Sequence, residues 1–178
     1  MVTICCIASG PSLVAEDCAL IERSGLKTIA INNSWQMARF ADYIYAGDKS
    51  WWHVNADKID IPAKRISCDA SASKRFNTAT HLPSGGYNSG MMAIRYAMFR
   101  LEARRVILLG YDCSVANGIH WHGPHEKLKN PDATRVAKWV KQFEKVSEEA
   151  KALGVQVINC SRDTALTCFE RKPLAEVL

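Results

Sequence analysis

Three histidines crowd the stretch His120-Trp121-His122-Gly123-Pro124-His125, and their spacing is the first hint of chemistry in this chain. An imidazole near its unperturbed pKa takes a hydroxyl proton at neutral pH, so a single one of them suffices as a general base. Neutral rings converging on one point would instead hold a metal ion, and His120 with His122 could do so from an extended segment, although no His-Glu-x-x-His motif accompanies them. Contact with a phosphate and a plain solvated loop are the other uses of the same residues.

A second cluster follows the apolar run Thr3-Ile4-Cys5-Cys6-Ile7-Ala8, which breaks abruptly into Ser9-Gly10-Pro11-Ser12-Leu13. The run suits a buried parallel strand, Gly10 allows a sharp reversal, and Pro11 fits the first position of a helix, where its missing N–H costs nothing. Such a turn leaves backbone amides aimed at one spot, where free donors and the helix macrodipole together favour an anion. Ser9, Gly10, Pro11 and Ser12 are therefore candidate contacts to a nucleotide phosphate. The spacing is neither the dinucleotide fingerprint nor the P-loop, and an ordinary strand-to-helix turn has the same composition. Gly85-Gly86-Tyr87-Asn88-Ser89-Gly90 is a further turn of this kind, in which Asn88 and Ser89 either cap a helix or bond a ligand and Gly90 permits close approach. Trp51 and Trp52, just after Asp48, are either a stacking wall for a base or core packing.

The elements that must position these residues alternate. Leu13 to Arg23 reads as a helix closed by Gly25, and Lys27 to Asn32 as a second strand. Tyr43 to Ala46 and Ala63 to Cys68 read as the third and fourth strands. The Ser-, Ala-, Thr- and Gly-rich segment 69–86 reads as a long loop or lid over the site. Met91, Ile94, Ala97, Met98 and Leu101 then mark one apolar helix face, capped by Asn88 or Ser89, which feeds the strand Arg105 to Leu109. Asn130-Pro131-Asp132 supplies a cap, a first-turn proline and a first-turn carboxylate for a long helix ended by Gly154, and Val155 to Asn159 gives the last strand.

Strands alternating with helices imply a single Rossmann-like α/β domain, a mainly parallel sheet with helices on both faces. Ser9, Asn32, Asn33, Asp48, Asp112 and Ser161 all follow apolar runs, and ligands of open α/β sheets bind at those carboxyl ends.

The bulk numbers fit one such domain. The chain has 178 residues, 48% hydrophobic and 23% charged, with no apolar run near the ~18–20 residues of a membrane span. Met1-Val2-Thr3 runs straight into the first strand with no basic leader or cleavage site, so a cytoplasmic protein with reduced thiols is expected. Of its seven cysteines, Cys5, Cys6, Cys68, Cys113 and Cys160 lie in or beside apolar runs, and no Cys-x-x-Cys pair points to zinc or redox work. The net charge of +5 favours an anionic ligand, while the scattered basic residues lack the stripe of a nucleic-acid groove.

Taken in order, Ser9-Gly10-Pro11-Ser12-Leu13, Asn32-Asn33, Asn88-Ser89-Gly90, Gly110-Tyr111-Asp112 and the histidine loop resemble the landmarks of bacterial lipooligosaccharide sialyltransferases. They are also similar to those of 6-hydroxymethylpterin diphosphokinases of the archaeal type, and the whole chain resembles small phage proteins of the norphogenetic type. The sialyltransferase resemblance implies a cytidine nucleotide held by Ser9, Gly10, Asn32, Ser89 and Gly90, and metal-independent deprotonation of an acceptor hydroxyl by His125, with His120 as its understudy. The departure is that Cys113 and Ser114 follow Asp112 where those enzymes place phosphate-stabilising tyrosines.

The expectation is a nucleotide-binding transferase acting on a nucleotide or nucleotide sugar, with no resident cofactor or metal, no nucleic-acid surface and a homo-oligomer open to it. The pterin-kinase resemblance implies instead Mg²⁺-dependent pyrophosphoryl transfer, with Asp48 and Asp112 carrying the ion. A non-catalytic phage nucleotide binder is the third reading.

Overall fold

The computed structural model describes residues 1–82 and 86–178; the end of the expected lid and the first glycine of the 85–90 turn lie outside the described residues. The strands are β1 (Thr3–Ile7), β2 (Lys27–Ile31), β3 (Tyr43–Tyr45), β4 (Lys64–Ser67), β5 (Ala79–Thr80), β6 (Arg105–Leu109), β7 (Gln156–Asn159) and β8 (Glu170–Arg171). They form one sheet in the order 5-4-3-2-1-6-7-8, with every neighbouring pair parallel. The helices are α1 (Ala15–Ser24), α2 (Lys49–Asn55), α3 (Ala70–Phe76), α4 (Ser89–Arg100) and α5 (Ala133–Ala152). This is the Rossmann-like α/β arrangement that the alternation of elements implied.

The apolar strands are continuous because both sheet faces are covered. Ile4, Cys6, Ile29 and Ile31 pack against Met91, Ile94, Phe143 and Val146 of α4 and α5. Cys5, Ile7, Ile107 and Leu109 face the opposite layer, with Cys18 and Ile21 of α1 and Trp51 and Trp52 of α2. In α5 the buried residues Val136, Phe143, Val146 and Ala150 recur at helical spacing, so one stripe meets the sheet and the rest is solvated. Full burial of a side chain such as Phe143 stabilises by ~1.5–3 kcal/mol. The strand order reverses between β1 and β6, and the crevice beyond their carboxyl ends is where such sheets bind ligands.

Several boundaries move for local reasons. Helix α1 starts at Ala15 after Val14, because Gly10 to Leu13 closes a β-turn of its own through a Leu13 N–H bond to the Gly10 carbonyl at 3.1 Å. Pro11 therefore sits in that turn, where its fixed φ suits the second position, and not in the helix. Segment 69–86 is not a bare loop. Asp69 accepts from the Ser71 N–H, Ala72 is buried, Asn77 ends α3 in the left-handed conformation, and β5 then pairs with β4.

Helix α5 is capped by Asp132, which accepts from the Arg135 N–H, so Asn130 is left for other work and Pro131 precedes the helix. After β7 the chain adds β8, a two-residue edge strand of Glu170 and Arg171 with no apolar signature. All seven cysteines are free thiols, and no helix among the described residues is long and apolar enough to cross a membrane.

Candidate functional site

The turn after β1 is a closed joint. Gly10 donates its N–H to the Gly110 carbonyl at 2.8 Å and Ala8 to the Leu109 carbonyl at 2.8 Å, continuing the β1–β6 pairing beyond the strands. The Ser12 N–H donates to Asp112 Oδ2 at 2.8 Å and the Ser12 hydroxyl to Asp112 Oδ1 at 2.7 Å. Pro11 has no N–H and Leu13 bonds Gly10, so the amides expected to be free for a phosphate are engaged inside the protein. A carboxylate of the chain itself occupies the place an anion would take.

The fit is tight: a Cβ on Gly10 would stand 2.1 Å from Asp112 Oδ1 and 2.5 Å from the Gly110 carbonyl oxygen, and Gly110 itself needs φ +66°. Asp112 is only 2% exposed. Burial pushes its carboxyl above the usual range, while the two bonds from Ser12 pull it back.

Two adjoining cavities lie beside this joint. An inner chamber of about 130 Å³ is lined by Ser9, Gly10, Gly90, Asp112 and Phe143 among others. An outer cleft of about 670 Å³ opens past Asp48, Trp51 and the start of α5. Asn32, Asn88, Ser89, His120, Pro131 and Trp139 line both, so the two form one site that narrows at these residues. Asn32 reaches it because it takes the left-handed conformation, φ 51°, directly after β2, which asparagine tolerates better than other residues with a side chain. Pro11, Ser12 and Asn33 line neither cavity; the Asn33 carboxamide oxygen accepts from the indole N–H of Trp51 at 2.8 Å.

The open donors are at α4. Asn88 caps this helix, accepting from the Met91 N–H at 2.9 Å, and its carbonyl takes the Met92 N–H at 3.0 Å. The amides of Ser89 and Gly90 engage no acceptor among the described residues, so they remain orphans of the first helical turn at the chamber. The Ser89 hydroxyl accepts from the Gly47 N–H at 3.0 Å and keeps its own proton to donate.

The three imidazoles do come together. His120 and His122 stack with centroids 5.0 Å apart, and His125 tilts against them at 4.7 and 5.1 Å. His120 Nδ1 hydrogen-bonds Ser9 Oγ at 3.0 Å, and the Trp121 N–H donates to the Ser9 carbonyl at 3.0 Å, which staples the loop to the end of β1. Asn130 clasps His125 through two backbone bonds, accepting its N–H at 2.8 Å and donating to its carbonyl at 2.9 Å.

Burial, then His125 and His122, lower His120 to about 4; burial lowers His125 as well, and burial with His125 lowers His122. All three rings are neutral at pH 7. The Nε2 atoms of His120 and His122 are buried and unpartnered among the described residues. Of the three, only His120 lines both cavities; His125 lines the outer cleft and His122 neither.

Asp48 and Asp112 do not converge: the first lines only the outer cleft and the second only the inner chamber, with both carboxylate oxygens bonded to Ser12. Among the described residues no group of three or more His, Cys, Asp or Glu is arranged to hold a metal ion. Trp52 is fully buried and its indole N–H donates to the Ala46 carbonyl at 2.9 Å. Trp51 lines the outer cleft but is only 3% exposed, and both rings belong to the core layer over α2.

Two features escaped the sequence reading. Cys113 takes a left-handed conformation, φ 47°, directly after Asp112, a strain of ~1–3 kcal/mol typical of functional loops. Lys127, Lys129, Arg135 and Lys138 all line the outer cleft. The i, i+3 spacing of Arg135 and Lys138 was the available signal, but nothing local to Lys127 and Lys129 places them beside it.

No known family and no curated protein matches this chain. Among solved structures it is similar to a UDP-glucose 4-epimerase at 12% identity and TM-score 0.39, over 89% of this chain and 50% of that one. It is also similar to the UDP-glucose 4-epimerase of Brucella ovis in complex with NAD at 11% identity and TM-score 0.36, over 89% and 51%. The chain thus spans about half the length of these structures.

Proposed function

We propose that this protein is a metal-independent, nucleotide-binding transferase of the sialyltransferase-like kind, which moves a glycosyl group from a nucleotide-activated donor to a hydroxyl acceptor. The observation that supports it is the meeting, at one narrowing of one cavity, of uncommitted donors and an uncommitted base: the Ser89 and Gly90 amides with the Ser89 hydroxyl, and the neutral ring of His120.

The inner chamber, about 130 Å³, is below the ~300 Å³ at which pockets for whole small molecules begin. It takes the phosphate end of the donor, and the nucleoside extends into the outer cleft along Asn32 and Asp48. The first turn of α4 stabilises charge that develops on the departing phosphate. It does so in place of the tyrosines that Cys113 and Ser114 replace.

In the tautomer that serves as base, His120 Nδ1 carries the proton and donates to Ser9 Oγ, which leaves Nε2 as the basic lone pair. The acceptor hydroxyl gives its proton to Nε2 as its oxygen bonds the sugar carbon, and the glycosyl–phosphate bond breaks with its electron pair on phosphate. This moves the base from His125 to His120, with His125 packed on it. Nε2 is buried and unpartnered among the described residues, so the acceptor reaches it only through a local rearrangement of the loop. Most of the rate enhancement comes from holding two substrates in register.

A thermal-shift screen of nucleotides and nucleotide sugars tests the reading. A ligand at about 100 times its Kd adds ~2.7 kcal/mol, which raises Tm by ~5–10 °C for a domain of this size. The shift persists in EDTA and disappears in Ser89→Asp, whose charge fills the phosphate position. No shift with any nucleotide refutes the proposal. His120→Asn retains the shift and loses turnover; loss of the shift instead makes His120 a binding residue.

A further inference from the structure

We infer that the outer cleft contains an anion-recognising subsite separate from the phosphate position at α4, formed by Lys127, Lys129, Arg135 and Lys138, and that it seats the phosphate or carboxylate group of the acceptor. The word acceptor rests on the transferase reading above; the subsite does not.

The four cations line a cleft whose lining includes a single carboxylate, Asp48. None of them is in an ion pair among the described residues, whereas the cations elsewhere that approach a carboxylate are paired, as in Arg95 with Glu149 at 2.8 Å and Arg162 with Asp17 at 2.8 Å. Of the acids on the same stretch, Glu126 adjoins Lys127 in sequence but does not line the cleft, and Asp132 is committed to capping α5 through the Arg135 N–H at 2.7 Å. Local structure explains the convergence. Leu128 packs into the α1–α2 layer, leaving Lys127 and Lys129 exposed on either side of it, and Arg135 and Lys138 share one face of α5.

Four like charges around one cavity repel one another in the unliganded protein, and an anion placed between them removes that penalty. None of the four lines the inner chamber and Gly90 does not line the outer cleft, so the two anion positions sit in different parts of one site, with Ser89 lining both. His120 lines both spaces, so a molecule anchored among these cations shares the cleft with the base. The acceptor class that fits is a small hydroxyl compound bearing a phosphate or a carboxylate.

Calorimetric titration of the full chain with inorganic pyrophosphate, and separately with citrate, distinguishes the two anions by which binds tighter. Lys127→Gln with Lys129→Gln, and Arg135→Gln with Lys138→Gln, alter exposed side chains only, and an unchanged Tm confirms the fold. Each pair should weaken the tighter anion at least tenfold, and protein saturated with the nucleotide found in the screen should bind that anion as well as free protein does. Unchanged affinity in both pairs, loss of affinity in Ser89→Asp, or mutual exclusion by nucleotide each overturns the subsite. Weakened anion binding in a protein that takes no nucleotide upholds the subsite and overturns its assignment to an acceptor.

Discussion

The turn after β1 and the opening of α4 resemble each other in sequence, each placing serine and glycine between an extended segment and a helix, yet one is closed and the other open. From Gly10 to Leu13 every amide proton is spent within the protein, on Gly110, Asp112 and Gly10. At Ser89 and Gly90 two amides and a hydroxyl proton remain available at a cavity. Turn composition does not decide whether donors are free; here a carboxylate 100 residues away in sequence decides it. The first junction locks β1 to β6 at the switch point.

The largest contrast is in what each glycine tolerates. Gly10→Ala drives a methyl into a buried carboxylate and a backbone carbonyl, which lowers stability by ~3 kcal/mol or more and Tm by ~6–12 °C. Gly90→Ala meets only the edge of the Tyr111 ring at 3.2 Å and Asn88 Oδ1 at 3.3 Å, and the better helix propensity of alanine offsets part of the strain, so the change stays within ~1 kcal/mol. Calorimetric melting of the two variants measures the difference. Equal Tm values would show that the first joint is not tight.

Next comes pH. His120 is lowered to about 4 against ~6.5 in an unfolded chain, so the unfolded state binds the extra proton between these values. Stability is full above ~6.5 and falls as pH drops toward 4, by about 2 kcal/mol between pH 7 and 5 for this residue. His81, buried beside Tyr45 and also lowered to about 4, adds a loss of the same sign. Melting at pH 7 and pH 5 should show a smaller decrement in His120→Asn than in the wild type. An identical decrement would place the sensitivity elsewhere.

Serine substitutions separate the junctions by kind of effect. Ser12→Ala removes one donor from buried Asp112 and costs ~1–2 kcal/mol, leaving any nucleotide-induced shift intact. Ser89→Ala changes the apo Tm by less and reduces the nucleotide shift. The reverse pattern would return the phosphate to the first turn.

Much of the fold was legible because long apolar runs and helical stripes carry it. Arg105 to Leu109 was placed to the residue, and α4 followed from local spacing, with Asn88 one of the two caps that spacing offered. What escaped lacks such signals: α3 and β5 are short, polar and supported by edge pairing, and β8 is Glu170 and Arg171 alone. At the site, Ser9, Gly10, Asn32, Asp48, Asn88, Ser89, Gly90, Asp112, His120 and His125 do line the cavities. Ser12 was misread because its partner, Asp112, is remote in sequence. The cationic lining was invisible because Lys127 and Lys129 come to the same cleft as Arg135 and Lys138 only in the folded chain.

The smallest predicted effect concerns how the histidine loop is fastened. Ser9 ties His120 to the end of β1, whereas the hydrogen bonds that hold His125 among the described residues are the exposed pair with Asn130. Exposed bonds contribute at the low end of the ~0.5–1.5 kcal/mol range, so Asn130→Ala lowers global stability by about 0.5 kcal/mol. The local effect is larger, because the depression of His125 comes from burial and an unclasped loop rehydrates the ring. NMR titration of the imidazoles should show His125 rising toward its ordinary value while His120, still tied to Ser9, remains low. If both rise together, the three rings move as one unit and the fastening at β1 does not hold His120 independently of its neighbours.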